Sequence, residues 1–317
     1  MQIKKNQFKE LKNINLAVGN FDGIHKGHRF LLEELLKLKS SYKKKMAVLS
    51  FIPHPVKILA PDKWKKNLVK FRTNYFHLKN IGIDYLLLIK FDKNFSNMSA
   101  KTFIEEILIK NLAVKNIVVG EDFKFGKNRV GDIRLLKDYA NKDKFNLLSI
   151  KKAGEYNTIY SSSLVRSLIK RGEIEKANKI LGYKWEVTGK VIKGKALGRK
   201  LGYPTANLKY LNQISPSKGI YACWVKIFGQ NDWLMGAVST GTRPHYQGVE
   251  EILEVYILNF SGNLYQKRIR VAFVSKIRNE EVFNSEQELI TKMKEDCQNI
   301  ENILKKSLIF YDNLGIK

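Results

Sequence analysis

Cysteine is almost missing from this chain. Cys223 and Cys297 are the two among 317 residues, too few for a disulfide framework and without metal-ligand spacing. Long apolar runs are missing too. Stretches such as Tyr85–Ile89 and Ile117–Val119 fall far short of the roughly eighteen residues that cross a bilayer. Met1–Asn6 holds no apolar h-region and no small-residue cleavage site. The expectation is a cytoplasmic protein with reduced thiols and no membrane partner. Acidic residues are scarce: 30 Asp and Glu stand against 57 Lys and Arg, a net charge of +27. A charge of that size admits nucleic acid or an anionic membrane. The lysines, however, are spread along the whole chain, with no basic tail and no arginine-rich arm. Aromatics do not interleave with the basic clusters as a stacking platform requires. The reading is therefore a solvated lysine-rich surface that helps gather phosphorylated small molecules, with no nucleic-acid partner expected.

A composition of 44% hydrophobic and 27% charged residues excludes wholesale disorder, and the length suggests two domains. Residues 14–20, 46–51, 85–89 and 116–119 read as strands. Residues 28–40, 75–80, 102–112 and 133–139 read as helices between or after them. That alternation predicts an open parallel sheet with helices on both faces. Two short helices follow, Ser163–Arg171 and Ile174–Leu181, with Gly172 between them and Gly182 closing the second. The texture then changes. Residues 185–192, 220–227, 233–239, 253–260 and 269–274 read as short strands without helices between them, which suggests a small closed barrel. Ser285-Glu286-Gln287-Glu288 is a capping box. It opens a last helix with an apolar stripe of Leu289, Met293, Cys297, Ile300 and Leu304, read as packing on the barrel.

The first chemistry-bearing segment is Gly19-Asn20-Phe21-Asp22-Gly23-Ile24-His25-Lys26-Gly27-His28. It follows the first strand and opens the first helix. Gly19 and Gly23 permit a sharp turn and close approach of a ligand. The helix start offers free N–H groups to phosphate. His25 and His28, three apart, can donate hydrogen bonds to charge developing on an α-phosphate and its leaving oxygen. Three further segments fit such a site. Pro53-His54-Pro55 follows the next strand and could frame a planar ring, or be a plain stiffened loop. Gly120-Glu121-Asp122-Phe123-Lys124-Phe125-Gly126 offers a carboxylate and two aromatics to a heterocycle, or phenylalanines packing under a glycine loop. Ser161-Ser162-Ser163-Leu164-Val165-Arg166 suits the outer phosphates of a nucleotide, or is an ordinary helix cap.

The second segment is Gly198-Arg199-Lys200-Leu201-Gly202-Tyr203-Pro204-Thr205-Ala206-Asn207. It lacks the glycine-lysine-serine/threonine ending of a Walker loop. Thr205 and Asn207 could both place oxygens on one Mg²⁺ that also holds ATP phosphates, and Gly198 and Gly202 leave room for phosphate. Glu254 stands in an otherwise apolar and aromatic strand, 253–258. It is either a base for an attacking hydroxyl or a glutamate facing water.

Taken in order, the Gly19–His28 string, Pro-His-Pro, Gly-Glu-Asp-Phe-Lys-Phe-Gly and Ser-Ser-Ser-Leu-Val-Arg resemble the adenylyltransferase module of the prokaryotic bifunctional riboflavin kinase/FMN adenylyltransferase (FAD synthetase) family. The Gly198–Asn207 string, Gly219-Ile220-Tyr221-Ala222, Gly241-Thr242-Arg243-Pro244, residues 253–265 and Ile277-Arg278-Asn279-Glu280 resemble its riboflavin kinase barrel. The resemblance implies a Rossmann-like nucleotidyltransferase domain over residues 1–184. It implies a small β-barrel kinase domain with a C-terminal helix over 185–317. The implied reactions are phosphorylation of riboflavin to FMN and adenylylation of FMN to FAD with release of pyrophosphate. ATP and flavins are the implied substrates, with Mg²⁺ on Thr205 and Asn207. The resemblance makes Glu254 the activator of the ribityl 5′-hydroxyl, and His25 and His28 the catalytic pair of the other module. It assigns Gly19, Phe21, Gly27, Ser162, Arg166, Gly198, Thr205 and Asn207 to ATP, and His54, Pro55, Asp122, Phe123 and Arg278 to flavin. Departures are Leu164 where arginine is common, Ser239-Thr240 where Asn-Ile is usual, His245-Tyr246 where Thr-Phe is usual, and Tyr256 where histidine is usual. The barrel departures are expected to shift flavin affinity, and the kinase to work.

Overall fold

Apolar residues at successive strand positions need cover on both faces of a sheet, and the N-terminal half supplies it. The computed structural model describes residues 1–307 except 7, 9, 43, 156, 157, 195, 196, 246 and 247. Contacts divide the chain into two compact units, Met1–Lys65 with Phe71–Ser161, and Lys66–Lys70 with Ser162 onward.

The first unit holds β1 (Gln2–Lys5), β2 (Asn15–Val18), β3 (Met46–Ile52), β4 (Tyr85–Lys90), β5 (Asn116–Gly120) and β6 (Asn146–Ile150). They form one parallel sheet in the order β1-β4-β3-β2-β5-β6. Leu16, Val18, Leu49, Leu87, Ile117 and Val119 face one apolar layer, and Ala17, Val48, Leu86, Leu88 and Val118 the other. This is the two-residue alternation of a strand buried on both sides. Helices α1 (Lys26–Tyr42) and α3 (Phe71–Ile81) supply Leu31, Leu32, Leu35 and Leu78 to the second layer. Between them lies short α2 (Pro55–Leu59). On the opposite face, α4 (Lys93–Ser96) and α5 (Ala100–Thr102) lead into a π-helix, Phe103–Asn111, and α6 (Ile133–Ala140) completes the layer. An ordinary helix is expected over 102–112, so the π turn is a departure. At the start of the sheet, register is pinned by buried amides. Asn116 Nδ2 donates to Asn15 Oδ1 (2.6 Å), and Asn146 Nδ2 to Asn116 Oδ1 (2.9 Å). β1 and β6 are edge strands that composition does not announce, because backbone pairing rather than an apolar face holds them. A two-residue hairpin, β7 (Gly154–Glu155) and β8 (Thr158–Ile159), closes the unit.

In the second unit, α7 (Ser162–Arg171) and α8 (Ile174–Leu181) turn at Gly172 (φ 80°), and α8 ends at Gly182 (φ 76°). The barrel runs through β9 (Glu186–Ile192), β10 (Thr205–Lys209), β11 (Gly219–Ile227), β12 (Trp233–His245), β13 (Gly248–Ile257) and β14 (Arg268–Arg278). It closes in the order β10-β13-β12-β11-β14-β9. Short α9 (Leu197–Lys200) precedes β10. Trp185, Tyr221 and Phe273 are fully buried, with ring centroids 4.9–5.4 Å apart. The segment Lys66–Lys70 is built into this unit. The Leu68 carbonyl accepts from Trp185 Nε1 (2.7 Å) and Gln213 Nε2 (3.1 Å). α10 (Glu286–Ser307) lays Ile300 and Leu304 on Ala222, Trp224, Ala272 and Val274. Half of its expected capping box forms as drawn, with Glu288 N–H donating to Ser285 Oγ. The Glu288 carboxylate reaches one residue further back, to Asn284 N–H.

Candidate active sites

The chain order reverses at β2: β3 lies on one side and β5 on the other. Ligands of open α/β sheets bind outside the carboxyl ends of strands at such a switch point. The loop from Gly19 to His25 leaves β2 there, Gly120–Gly126 leaves β5, and Pro53–Pro55 leaves β3. Three sequence-predicted segments thus share one sheet edge. The first loop is strained: Phe21 (φ 49°), Gly23 (φ 85°) and Ile24 (φ 32°) all have left-handed backbones. Two of these are bulky residues, which is costly and concentrates at functional sites. The strain delivers the two imidazoles as a stacked pair, with centroids 3.7 Å apart and planes at 20°. His28 N–H donates to His25 Nδ1 (3.3 Å), so the neutral His25 ring carries its proton on Nε2. His28 Nδ1 is buried and has no hydrogen-bond partner among the described residues. Burial lowers the His25 pKa to about 4. Burial, and then the neighbouring His25, hold His28 well below its ordinary value. Both rings are therefore neutral donors at pH 7. Gly27 lies close against this stack: a Cβ there would lie 3.1 Å from the His25 ring. A Cβ at Gly19 would press equally on the Phe21 ring.

The Pro-His-Pro turn begins with a cis Ile52–Pro53 bond. His54 caps α2, its Nδ1 accepting from Val56 N–H (3.2 Å), and its ring meets Trp64 at 4.9 Å. In the Gly120 loop, Phe123 stacks on Phe125 at 5.3 Å. Phe125 does pack under the glycine loop, 7% exposed. Asp122 is exposed and ion-paired to Lys152 at 2.9 Å. Phe103, Phe95 and Phe51 continue the aromatic series from Phe125 at centroid spacings of 5.5, 6.3 and 5.8 Å. An aromatic wall thus links the loops after β3 and β5. Ser162 begins α7 and Arg166 donates to the Lys66 carbonyl (3.3 Å); both belong to the second unit.

In the barrel, strand register does the assembling. Asn207 pairs with Glu254, Glu254 with Ser239, and Thr205 with Tyr256. Paired residues share a face, and the intervening Ala206, Leu208, Leu253 and Val255 are buried on the other. Thr205, Asn207, Glu254, Ser239 and Tyr256 therefore lie together on the outer face. Thr205–Lys209 is strand β10, because both of its flanks find ladder partners. Asn207 is 4% exposed, and its Oδ1 has no hydrogen-bond partner among the described residues. A buried, unpartnered amide oxygen two residues from the Thr205 hydroxyl fits a hard cation. Thr205 also lines a cavity of about 640 Å³ with Pro204, Val255, Phe260 and Asn263–Tyr265. Gly198 backs this turn, since a Cβ there would overlap the Tyr203 carbonyl oxygen. Tyr256 meets Tyr203 edge-on at 5.3 Å. Arg278 is held in a fork by Asp296 of α10, its Nε and Nη2 2.9 Å from the carboxylate, and its guanidinium lies over Phe283. Tyr246 and the side chain of His245 lie outside the described residues.

Residues 7–164 match the FAD synthetase family model and residues 181–304 the riboflavin kinase model. The bifunctional riboflavin kinase/FMN adenylyltransferase of Escherichia coli K12 is 37% identical over 281 residues, covering 89% of this chain and 90% of that protein. Its namesake from Buchnera aphidicola of Schizaphis graminum is 36% identical over 295 residues, covering 91% and 94%. The chain belongs to the bifunctional riboflavin kinase/FMN adenylyltransferase family. A crystal structure described as a macrolide-efflux protein from Streptococcus pneumoniae has the same fold over 95% of this chain and 99% of that one, with a TM-score of 0.86 and 28% identity. Among the described residues, no helix is long and apolar enough to cross a membrane.

Several residues around these candidate sites escaped sequence reasoning. Asn74 of α3 accepts from Gly23 N–H (3.1 Å) and steadies the histidine loop. Tyr160 receives Lys26 over its ring at 5.8 Å. Gly194 presses on Asn207: a Cβ there would overlap its amide nitrogen. Asp296 anchors Arg278. Each acts across a sequence separation that periodicity does not report. Phe51, Phe95 and Phe103 carried a signal in their aromaticity, but it was indistinguishable from core.

Proposed function

We propose that the barrel phosphorylates riboflavin and the parallel-sheet unit adenylylates the resulting FMN, both in the cytoplasm and both with ATP. The observation that carries the reading is the pair of built polar sites in one chain: a neutral stacked histidine pair at the sheet switch point, and Asn207 beside Glu254 on the barrel. Residues 1–184 are assigned to the adenylyltransferase and 185–317 to the kinase, with α7 and α8 packed in the barrel unit. The positive surface serves to gather phosphorylated substrates rather than nucleic acid.

In the kinase step the ribityl 5′-oxygen bonds to the γ-phosphorus of ATP, the bond from that phosphorus to the β,γ-bridging oxygen breaks, and ADP leaves. Glu254 takes the hydroxyl proton. Thr205 and Asn207 would hold Mg²⁺, which when bound neutralises phosphate charge. In the second step an oxygen of the FMN phosphate bonds to the α-phosphorus of another ATP, and the bond to the α,β-bridging oxygen breaks. Pyrophosphate leaves with the electron pair, so no covalent enzyme intermediate is needed. Neutral His25 donates from Nε2, and His28 joins it in stabilising charge on the transferring phosphate. Gly19, Phe21 and Gly27 shape the nucleotide pocket of the parallel-sheet unit; Ser162 and Arg166, on α7, are assigned to ATP, and Gly198 to the phosphates of the kinase ATP. Phe123, with His54, Pro55 and Asp122, receives the flavin ring of FMN, backed by the core rings of Phe103 and Phe125. Arg278 is assigned to the riboflavin side of the barrel.

Substitutions separate the sites. Glu254→Gln abolishes FMN formation while FAD formation from supplied FMN survives. His28→Ala does the reverse and lets FMN accumulate, its adenylylation slowed roughly tenfold to a hundredfold. Either folded variant losing both activities contradicts the two-site reading.

A further inference from the structure

Lys26 lies between His25 and His28 in the chain, and the fold does not account for its charge. It is the first residue of α1, where the positive end of the helix dipole disfavours a cation. The first turn of α1 holds no acidic residue to offset it, and among the described residues no carboxylate pairs with it. Its ammonium instead lies 5.8 Å over the Tyr160 ring, whose own hydroxyl donates to Glu155 Oε2 (2.8 Å). At an exposed side chain such as Lys26, a contact of this kind is weak, so the ammonium is held near the histidine loop without being committed there. Tyr160 belongs to the same surroundings: a Cβ at Gly27 would lie 3.5 Å from the Tyr160 Cβ, and Tyr160 directly precedes the Ser161-Ser162-Ser163 run. Arg29, the other cation of this turn, is directed to α3, with Nη2 3.5 Å from His77 Nδ1.

The reaction calls for a charge of this sign. Adenylylation breaks the bond from the α-phosphorus to the α,β-bridging oxygen, and the electron pair leaves on pyrophosphate. Burial holds both imidazoles unprotonated. They donate hydrogen bonds to the departing group but carry no charge to oppose its own. We propose that Lys26 is a catalytic residue of the adenylyltransferase: its ammonium leaves the Tyr160 ring for a non-bridging β-phosphate oxygen of ATP and opposes the negative charge that grows on pyrophosphate as it departs. The inference rests on the adenylyltransferase reading of the histidine loop. No proton moves in this step, since the ammonium acts as a hydrogen-bond donor and point charge. A lysine suits the task because its flexible stem lets the charge follow the leaving group.

The test follows FAD formation from FMN and Mg·ATP in the full-length protein, with pyrophosphate and AMP as inhibitors competing with ATP. Lys26→Gln lowers kcat/KM for ATP about tenfold to a hundredfold, the worth of one charge-assisted hydrogen bond. It raises the inhibition constant of pyrophosphate by a similar factor and leaves that of AMP, which lacks the pyrophosphate end, where it was. Lys26→Arg keeps the charge and recovers most of the loss. Removing a cation from a helix start does not lower stability, so the urea-unfolding midpoint of Lys26→Gln stays at or above that of the parent. FMN formation from riboflavin at the barrel is the internal control and does not change. The proposal is overturned if Lys26→Gln makes FAD within about threefold of the parent rate, if it weakens pyrophosphate and AMP alike, or if Lys26→Arg is as slow as Lys26→Gln. His28→Ala in the same assay tests the underlying reading: full adenylylation there overturns the reading itself, whatever Lys26 does.

Discussion

Gly194→Ala is the smallest change that should silence the kinase. Gly194 makes no chemistry of its own, but its backbone lies against the Asn207 amide, and a Cβ would overlap Nδ2 and sit 2.7 Å from Cγ. The amide has little room to yield. Asn207 is 4% exposed and sits between Glu254 and Ile192 in the ladder. Relief of the overlap needs a displacement of roughly 1 Å, and an error of that size in a positioning group costs on the order of a hundredfold in rate. The expected result is a fall of about that factor in kcat/KM for FMN formation with Mg·ATP. Conversion of supplied FMN to FAD serves as an internal control and should be unaffected. A kinase within about threefold of the parent would refute the claim that Asn207 must stay where the structure holds it.

Other expectations follow from the same geometry. His25 is held neutral, with its pKa lowered to about 4 from 6.5. The unfolded chain binds more protons in that window, so the stability due to the neutral ring is complete above about pH 6.5 and is lost as pH falls toward 4. The shift corresponds to about 3 kcal/mol, read as the difference in urea-unfolding free energy between pH 7 and 4 that His25→Gln diminishes. For the same reason both imidazoles should stay neutral through pH 6.5 when their ring titrations are followed by NMR; a ring of His25 or His28 that takes up a proton near that pH contradicts the neutral pair. Asn116→Ala removes the middle of the amide ladder, leaving Asn15 Oδ1 buried without its partner and Asn146 Nδ2 to turn to water. A loss of about 2–4 kcal/mol in thermal or urea unfolding is expected, and an unchanged midpoint would show that the ladder adds nothing.

How much of this was legible beforehand depended on how far apart the interacting residues lie in the chain. The Gly19–His28 loop could be read because a strand end, glycines and a helix start are consecutive, and two histidines three apart must share a turn. The stack of those rings, and the burial that keeps them neutral, needed Asn74 and Gly27 in place. The parallel sheet and the barrel followed from alternating segments, whereas β1 and β6 did not, since an edge strand is held by backbone hydrogen bonds. Thr205 and Asn207 were visible as an oxygen pair, but strand β10, which holds them, forms only through pairing with β9 and β13. Arg278 was singled out only through the family resemblance. Asp296, which fixes it from α10, sits 18 residues away on a helix read only for its apolar stripe. Lys66–Lys70, lying between two elements of the parallel-sheet unit, carried no mark of belonging with the barrel. Short-range chemistry shows in sequence; register, which built the Asn207–Glu254–Ser239 row, does not.

The central claim is that one chain performs two successive phosphorus transfers at two sites. The purified protein, incubated with riboflavin and excess Mg·ATP and sampled over time by separation of the flavins, tests it directly. FMN should rise first and then fall as FAD accumulates, with ADP and pyrophosphate appearing in step. Riboflavin left unchanged, or FMN that accumulates and is never converted, would contradict it.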